Sequence, residues 1–309
     1  MAWLEAQLAR RGLVVTGTVT QPHVRPWSTA LSVPTTGGLV WFKAGGPGNR
    51  HEAALLQALT EWRTPHILEP LAVDVDRGWL LLPDGGTRLR DTLAGGPGVD
   101  AWLRVLPRYA ELQRAVSTRA DELVAIGIPD LRPTSLPDHL ASLAAEPTVV
   151  LTDADRARLR DLLPIVRRWC DELADVGIAP SLQHDDLHDG NVFVGAEGDR
   201  LFDWGDASVA HPFGTLLVTF RSIASRGLDD GAAKAGSLAR LRDAYLEPWT
   251  TSHSRAELET ATLLAMRVAI IGRALSWHRA LTGIPPDDHG EWAGNVGGWL
   301  LELFEPNLV

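Results

Sequence analysis

In the N-terminal part of the chain the apolar positions fall in short runs broken by Gly, Pro and Thr, the punctuation of strands. Leu13-Val-Val-Thr-Gly-Thr-Val-Thr20 and Trp27-Ser-Thr-Ala-Leu-Ser-Val33 predict strands, with Gln21-Pro-His-Val-Arg-Pro26 as the loop between them. Thr35-Thr-Gly-Gly38 predicts a hairpin turn into a third strand ending at Lys43. A loop, Ala44-Gly-Gly-Pro-Gly-Asn49, leads to a helix from about Arg50, with Leu55, Leu56 and Leu59 on one face. Residues 67–74 and 78–82 predict two more strands, and residues 2–11 a short helix. From Asp100 the period lengthens to that of helices, over 100–117, 136–145, 153–176, 212–225, 232–247, 255–282 and 291–304. Only hairpin-like segments within 181–204 interrupt them. The expected class is α+β in two parts, residues 1–83 and 84–309, with a hinge at Pro83-Asp-Gly-Gly86.

The interruption carries the chemistry. Val192-Phe-Val194 and Leu201-Phe202 predict two short buried strands around a turn, Gly195-Ala-Glu-Gly-Asp-Arg200. That pairing puts Asn191 beside Asp203, with Asp186 facing both from the preceding loop. Two oxygen ligands for Mg²⁺ next to a free carboxylate are what phosphoryl transfer requires. A second signal is a lysine, since the chain holds 27 Arg but only two Lys, Lys43 and Lys234. Lys43 ends a buried strand, and Glu52 sits in the first turn of the next helix. A compact ammonium held there can reach nucleotide phosphates as a point charge, which a guanidinium does not imitate freely.

The wording Gln183-His-Asp-Asp-Leu-His-Asp-Gly-Asn191, then Phe202-Asp-Trp-Gly-Asp206, resembles the catalytic and metal loops of the aminoglycoside phosphotransferase branch of the protein-kinase-like fold. The resemblance implies a bilobal fold and transfer of the γ-phosphoryl group of ATP to a hydroxyl of a small molecule. Asp186 would orient that hydroxyl and take its proton, Asn191 and Asp203 would hold Mg²⁺, and Lys43, steadied by Glu52, would bind the phosphates. Backbone groups of Leu82 and Asp84 would meet the base, since Pro83 has no N–H to donate; GTP stays open as an alternative nucleotide. Three features depart from the family pattern: the stretch 21–28 has no Gly, Ala210-His-Pro stands where a Gly-Asp-Pro context is usual, and Asp185 replaces a small residue and adds negative charge. His184 is expected to hold the loop, and Asp206 to cap the next element. His188 and Asp189 are expected at solvent or substrate.

Composition narrows the setting. A net charge of −10 gives no support to a nucleic-acid role. One cysteine, Cys170, excludes an internal disulfide framework, and no secretory signal or membrane span is read, so a cytoplasmic enzyme is expected. The acidic, Trp-flanked loop with Asp287, Asp288, Glu291 and Trp292 is a candidate wall for an amine-bearing, aminoglycoside- or amino-sugar-like acceptor. Two other readings share these residues: a metabolic kinase of an amino alcohol, sugar or nucleoside, and a nucleotide-binding pseudokinase.

Overall fold

The computed structural model describes residues 2–196, 198–228 and 231–306; Glu197, within the expected hairpin turn, lies outside the described residues. An antiparallel sheet in the order β1-β2-β3-β5-β4 comprises β1 (Thr20–Arg25), β2 (Ser28–Thr35), β3 (Gly38–Gly45), β4 (Ala72–Asp74) and β5 (Trp79–Pro83). Strands β2 and β3 pair without a slip from Ser28 opposite Gly45 to Thr35 opposite Gly38. The tight turn works because Gly38 takes a φ of 104°. Helix α1 (Ala2–Ala9) buries Leu4 and Leu8 against Val33, Val40 and Leu81 of one sheet face. Helix α2 (His51–Glu61) buries Leu55 and Leu59 and presents Glu52.

Two expectations for this part are corrected. Residues 13–19 make only an isolated bridge, Val15 to Thr35, and the strand is instead β1, which begins at Thr20 and uses residues 21–25 of the expected loop. All six β1 side chains are exposed, so the strand exists by pairing with β2 rather than by burial, and no apolar pattern marks it. Its edge position and the register shift between Thr20 and His23 accommodate Pro22. The strand expected over 67–74 shrinks to β4. Ile67 bridges Leu201, and His66 and Leu68 exchange backbone hydrogen bonds with Leu201.

The second part is helical: α3 (Leu89–Thr92), α4 (Val99–Val116), α5 (Ala120–Ala125), α6 (Leu136–Ala145), α7 (Asp153–Asp175), α8 (Leu216–Ala224), α9 (Ala232–Leu246), α10 (Arg255–Ala280) and α11 (Asn295–Leu301). Capping boxes start the two longest, Thr152 with Asp155 for α7 and Ser254 with Glu257 for α10. The helix expected over 291–304 breaks into a 3-10 turn, α11 and a second 3-10 turn. Trp102, Tyr109, Phe213, Phe220 and Tyr245 fill the core without exposure, and Cys170 is buried among them. Of the other tryptophans expected inside, Trp3, Trp41, Trp79 and Trp169 are partly buried.

Five short strands frame the interruption. Strands β6 (Asp130–Leu131), β7 (Ser181–Gln183) and β10 (Ser208–Ala210) make a small sheet in the order β6-β10-β7. Strands β8 (Val192–Phe193) and β9 (Arg200–Leu201) form the expected hairpin. The small sheet was not expected: strands of two or three residues are too short to show a period.

Candidate active site

Gln183 of β7 lies opposite Ser208 of β10, so residues 184–207 form one loop closed at its base, with the β8–β9 hairpin inside it. His184 is fully buried and holds that loop. Its N–H donates to Tyr109 Oη at 2.8 Å, its Nε2 donates to the Phe202 carbonyl at 3.0 Å, and its ring lies on Trp204. Burial pushes its pKa below the ordinary value, so it stays neutral. Asp185 is a second anchor: Gln183 and Ser208 donate to its buried carboxylate, and burial pushes its pKa up to about 6. The extra charge expected from it is therefore locked into the small sheet.

Asp186, next along the loop, remains partly open, its side chain 24% exposed. Arg273 Nη2 of α10 meets Oδ1 at 3.0 Å, while Oδ2 has only long contacts, 3.4 Å to Asn191 Nδ2 and 3.5 Å to His188 Nε2. His188 Nδ1 accepts the Gly190 N–H at 2.9 Å, which leaves the proton on Nε2, facing Asp186. Burial would raise the Asp186 pKa, but Arg273 and then His188 outweigh it and hold the group at about 2. Asp189 is not at solvent: it is buried and ion-paired with Arg90 and Arg226. His188, by contrast, stays partly exposed at 26%.

The hairpin brings Asn191 and Asp203 together as expected, with the Phe202 N–H donating to the Asn191 carbonyl at 3.2 Å. Asn191 donates its Nδ2 hydrogens to the Asp186 backbone oxygen at 3.0 Å, so its Oδ1 is left as the acceptor. Lys43 Nζ lies 2.6 Å from Asp203 Oδ1 and 2.8 and 2.6 Å from the two oxygens of Glu52. Glu52 Oε1 also takes the Trp204 N–H at 2.9 Å, tying α2 directly to the Asp203 loop. Burial raises the Glu52 pKa against the pull of Lys43, while for Asp203 Lys43 prevails over burial and the pKa falls. Burial works against the Lys43 ammonium, yet Asp203 and Glu52 together raise its pKa. The residues read from the sequence as one centre thus meet in space.

Neighbouring expectations fare differently. The Asp84 N–H, expected at a nucleotide base, donates to the Leu39 carbonyl at 3.2 Å and belongs to the sheet; Leu82 lies opposite Trp41 in the same ladder. Gly85, beyond them, packs so closely that a Cβ there would lie 2.1 Å from the Phe193 ring. Trp292 reaches the site region through Trp27, 5.1 Å away between ring centroids, and Trp27 in turn meets Trp277 at 5.5 Å. Asp287, Asp288 and Glu291 are exposed and make no ion pair among the described residues, so the acidic face is not built into this aromatic cluster.

Sequence reasoning misassigned Asp206 and passed over Arg273 and Arg279. Asp206 caps no helix among the described residues: its carboxylate accepts from Arg273 Nη1 at 2.8 Å and its carbonyl from Arg279 Nη2 at 3.1 Å. Both lie in the helix expected over 255–282, Arg273 inside its apolar stretch and Arg279 just past it. A positive charge inside such a stretch was the available signal, because a buried charge requires a partner. The segment before α2 meets both this helix and the loop: a Cβ on Gly48 would lie 1.9 Å from the Arg279 carbonyl oxygen, and Asn49 Nδ2 donates to the Gly205 carbonyl at 2.9 Å.

The fold is shared with known kinases at low identity. A choline/ethanolamine kinase family protein from Mesorhizobium loti superposes with a TM-score of 0.62 at 16% identity, covering 99% of this chain and 95% of that one. An ethanolamine kinase from Plasmodium vivax gives 0.59 at 12% identity, covering 92% and 80%. The amicoumacin kinase hAmiN, in complex with AMP-PNP, Ca²⁺ and Ami, gives 0.59 at 11% identity, covering 98% and 95%. No curated protein sequence matches the chain. Residues 50–248, more than half of the chain and spanning the whole catalytic loop, match the model of the phosphotransferase enzyme family, and the chain belongs to that family.

Proposed function

We propose that this phosphotransferase moves the γ-phosphoryl group of ATP to a hydroxyl of a small, amine-bearing molecule. The observation that carries this reading is the convergence of Lys43, Glu52 and Asp203 beside Asp186 and Asn191. Lys43 offers a fixed cation for the phosphates, with Glu52 preventing its collapse wholly onto Asp203. Asp203 and Asn191 fit Mg²⁺: both present hard oxygens, and no protein donor meets Asp203 Oδ2 among the described residues. Bound there, Mg²⁺ would neutralise charge on the phosphates.

Asp186 receives the acceptor hydroxyl on Oδ2, its less engaged oxygen. A carboxylate held at about 2 is a weak base, so its main contribution is to aim the hydroxyl, and the proton passes to it late, as the oxygen–phosphorus bond forms. The amine-bearing acceptor rests on Trp292, which with Trp27 and Trp277 supplies aromatic surface near Arg273, and on the net charge of −10. Because the Asp84 N–H is engaged, base recognition falls to other backbone groups of the hinge, and ATP and GTP are both to be tried.

The test is ATP consumption with mass detection of phosphorylated product over aminoglycosides, amino sugars and amino alcohols, with neutral sugars and nucleosides as controls. Asp186→Asn should keep nucleotide binding and lose at least ~10²-fold in turnover. Mg·ATP binding without transfer to any hydroxyl would favour a pseudokinase. Reaction of neutral acceptors alone would remove the amine requirement.

A further inference from the structure

The guanidinium of Arg273 joins two parts of the loop that the chain itself leaves apart. Its Nη1 meets Asp206 Oδ2 at 2.8 Å and its Nη2 meets Asp186 Oδ1 at 3.0 Å, and its side chain is 12% exposed. A planar fork can satisfy two carboxylates at once in fixed directions, which an ammonium cannot. An aspartate left alone turns freely about its last torsion, because the two oxygens are equivalent and that torsion is broad. Arg273 breaks the equivalence. Oδ1 is taken by a charged donor, whereas Oδ2 has contacts of only 3.4 and 3.5 Å and keeps capacity for a further hydrogen bond. Asp206 is itself fixed, since Arg279 holds its carbonyl at 3.1 Å.

We propose that Arg273 is a positioning residue for phosphoryl transfer: anchored to Asp206, it fixes the Asp186 carboxylate so that Oδ2 faces the acceptor hydroxyl. The proposal rests on the role assigned above to Asp186, and makes helix α10 a working part of the catalytic loop. Arg273 acts through Asp186 and not through the nucleotide, so its loss lowers kcat and leaves the KM for ATP in place.

The experiment is a double-mutant cycle on the full chain, with Mg·ATP and the acceptor found by the panel, or water where none reacts. Arg273→Gln should lower kcat roughly 10–100-fold, the range of one lost charge-assisted hydrogen bond. Arg273→Lys should restore only part, since it reaches one carboxylate at a time. In an Asp186→Asn background Arg273→Gln should cost nothing further. Asp206→Asn, which leaves the guanidinium paired with Asp186, repeats the test should Arg273→Gln fail to fold, and should lower kcat only when Asp186 is present. Equal losses in both backgrounds, or a rise in the KM for ATP with kcat unchanged, overturn the proposal while leaving the Asp186 reading intact. An Asp186→Asn enzyme of full activity overturns both.

Discussion

Replacing Lys43 by Met separates what that residue does for the fold from what it does for phosphates. The ammonium lies between Glu52, whose side chain is 4% exposed, and Asp203, 49% exposed. Without it Asp203 returns to water at little cost, on the scale of a surface pair, below ~1 kcal/mol. Glu52 cannot follow. It keeps one neutral donor, the Trp204 N–H at 2.9 Å, and must either stay charged without a partner or take up a proton. Removing one partner of a buried pair costs about 3–5 kcal/mol, and taking the proton at pH 7 limits the loss to about 3 kcal/mol. On a chain of this size that lowers the thermal midpoint by roughly 5–10 °C. The second mutation makes the argument specific. Glu52→Gln in the Lys43→Met chain removes the orphaned charge, keeps an oxygen for the Trp204 N–H, and should recover most of the lost stability. It should not recover affinity for Mg·ADP, because no cation has returned. Differential scanning fluorimetry with calorimetric titration of Mg·ADP reads both quantities. A double variant as unstable as Lys43→Met, or a Lys43→Met protein that binds nucleotide like the wild type, would refute the reasoning.

Three further outcomes are expected. Asp203→Ala should abolish transfer while Asn191→Ala leaves a residual rate, since a charged metal ligand is lost in one and a neutral one in the other; wild-type turnover by Asp203→Ala removes the metal assignment. Gly85→Ala places a methyl where the Phe193 ring lies, 2.1 Å away, and should weaken nucleotide binding more than it alters the response to acceptor, read as a KM for ATP that rises with little change in kcat. Stability should fall on acidification below pH ~6.5: His211 is buried and His51 half-buried, both with pKa values pushed down by desolvation, to about 3 and about 4, so the unfolded chain binds more protons there. Their contribution is complete above the unfolded value and is lost as the pH falls toward the folded ones. Asp185, pushed up to about 6, acts in the opposite sense between its ordinary value and 6 and offsets part of the slope. A thermal midpoint that does not change between pH 7 and pH 5 would contradict this balance.

The sequence alone determined the elements whose cause is local. Helix α4 and helices α6 to α10 follow from apolar period, and α6 spans 136–145 as the pattern predicts, whereas the short α5 showed no such period. The β8–β9 hairpin, with Asn191 and Asp203 at its end, follows because both strands and the turn lie within a dozen or so residues. Lys43 and Glu52 were legible for the same reason, one strand end and one helix start apart, although Asp203, their third member, is 160 positions from the lysine.

Only the tertiary structure decided the rest. Strand β1 is held by hydrogen bonds to β2 and buries no side chain, so its residues carry no hydrophobic mark. The Asp84 amide looked free beside Pro83 until the ladder paired it with Leu39. Asp206 looked like a cap until a guanidinium 67 positions away claimed it. Charge pairing leaves no periodicity in a sequence: it depends on which side chains packing brings within about 4 Å, and the packing that seats α10 beneath the catalytic loop is summed over the whole core.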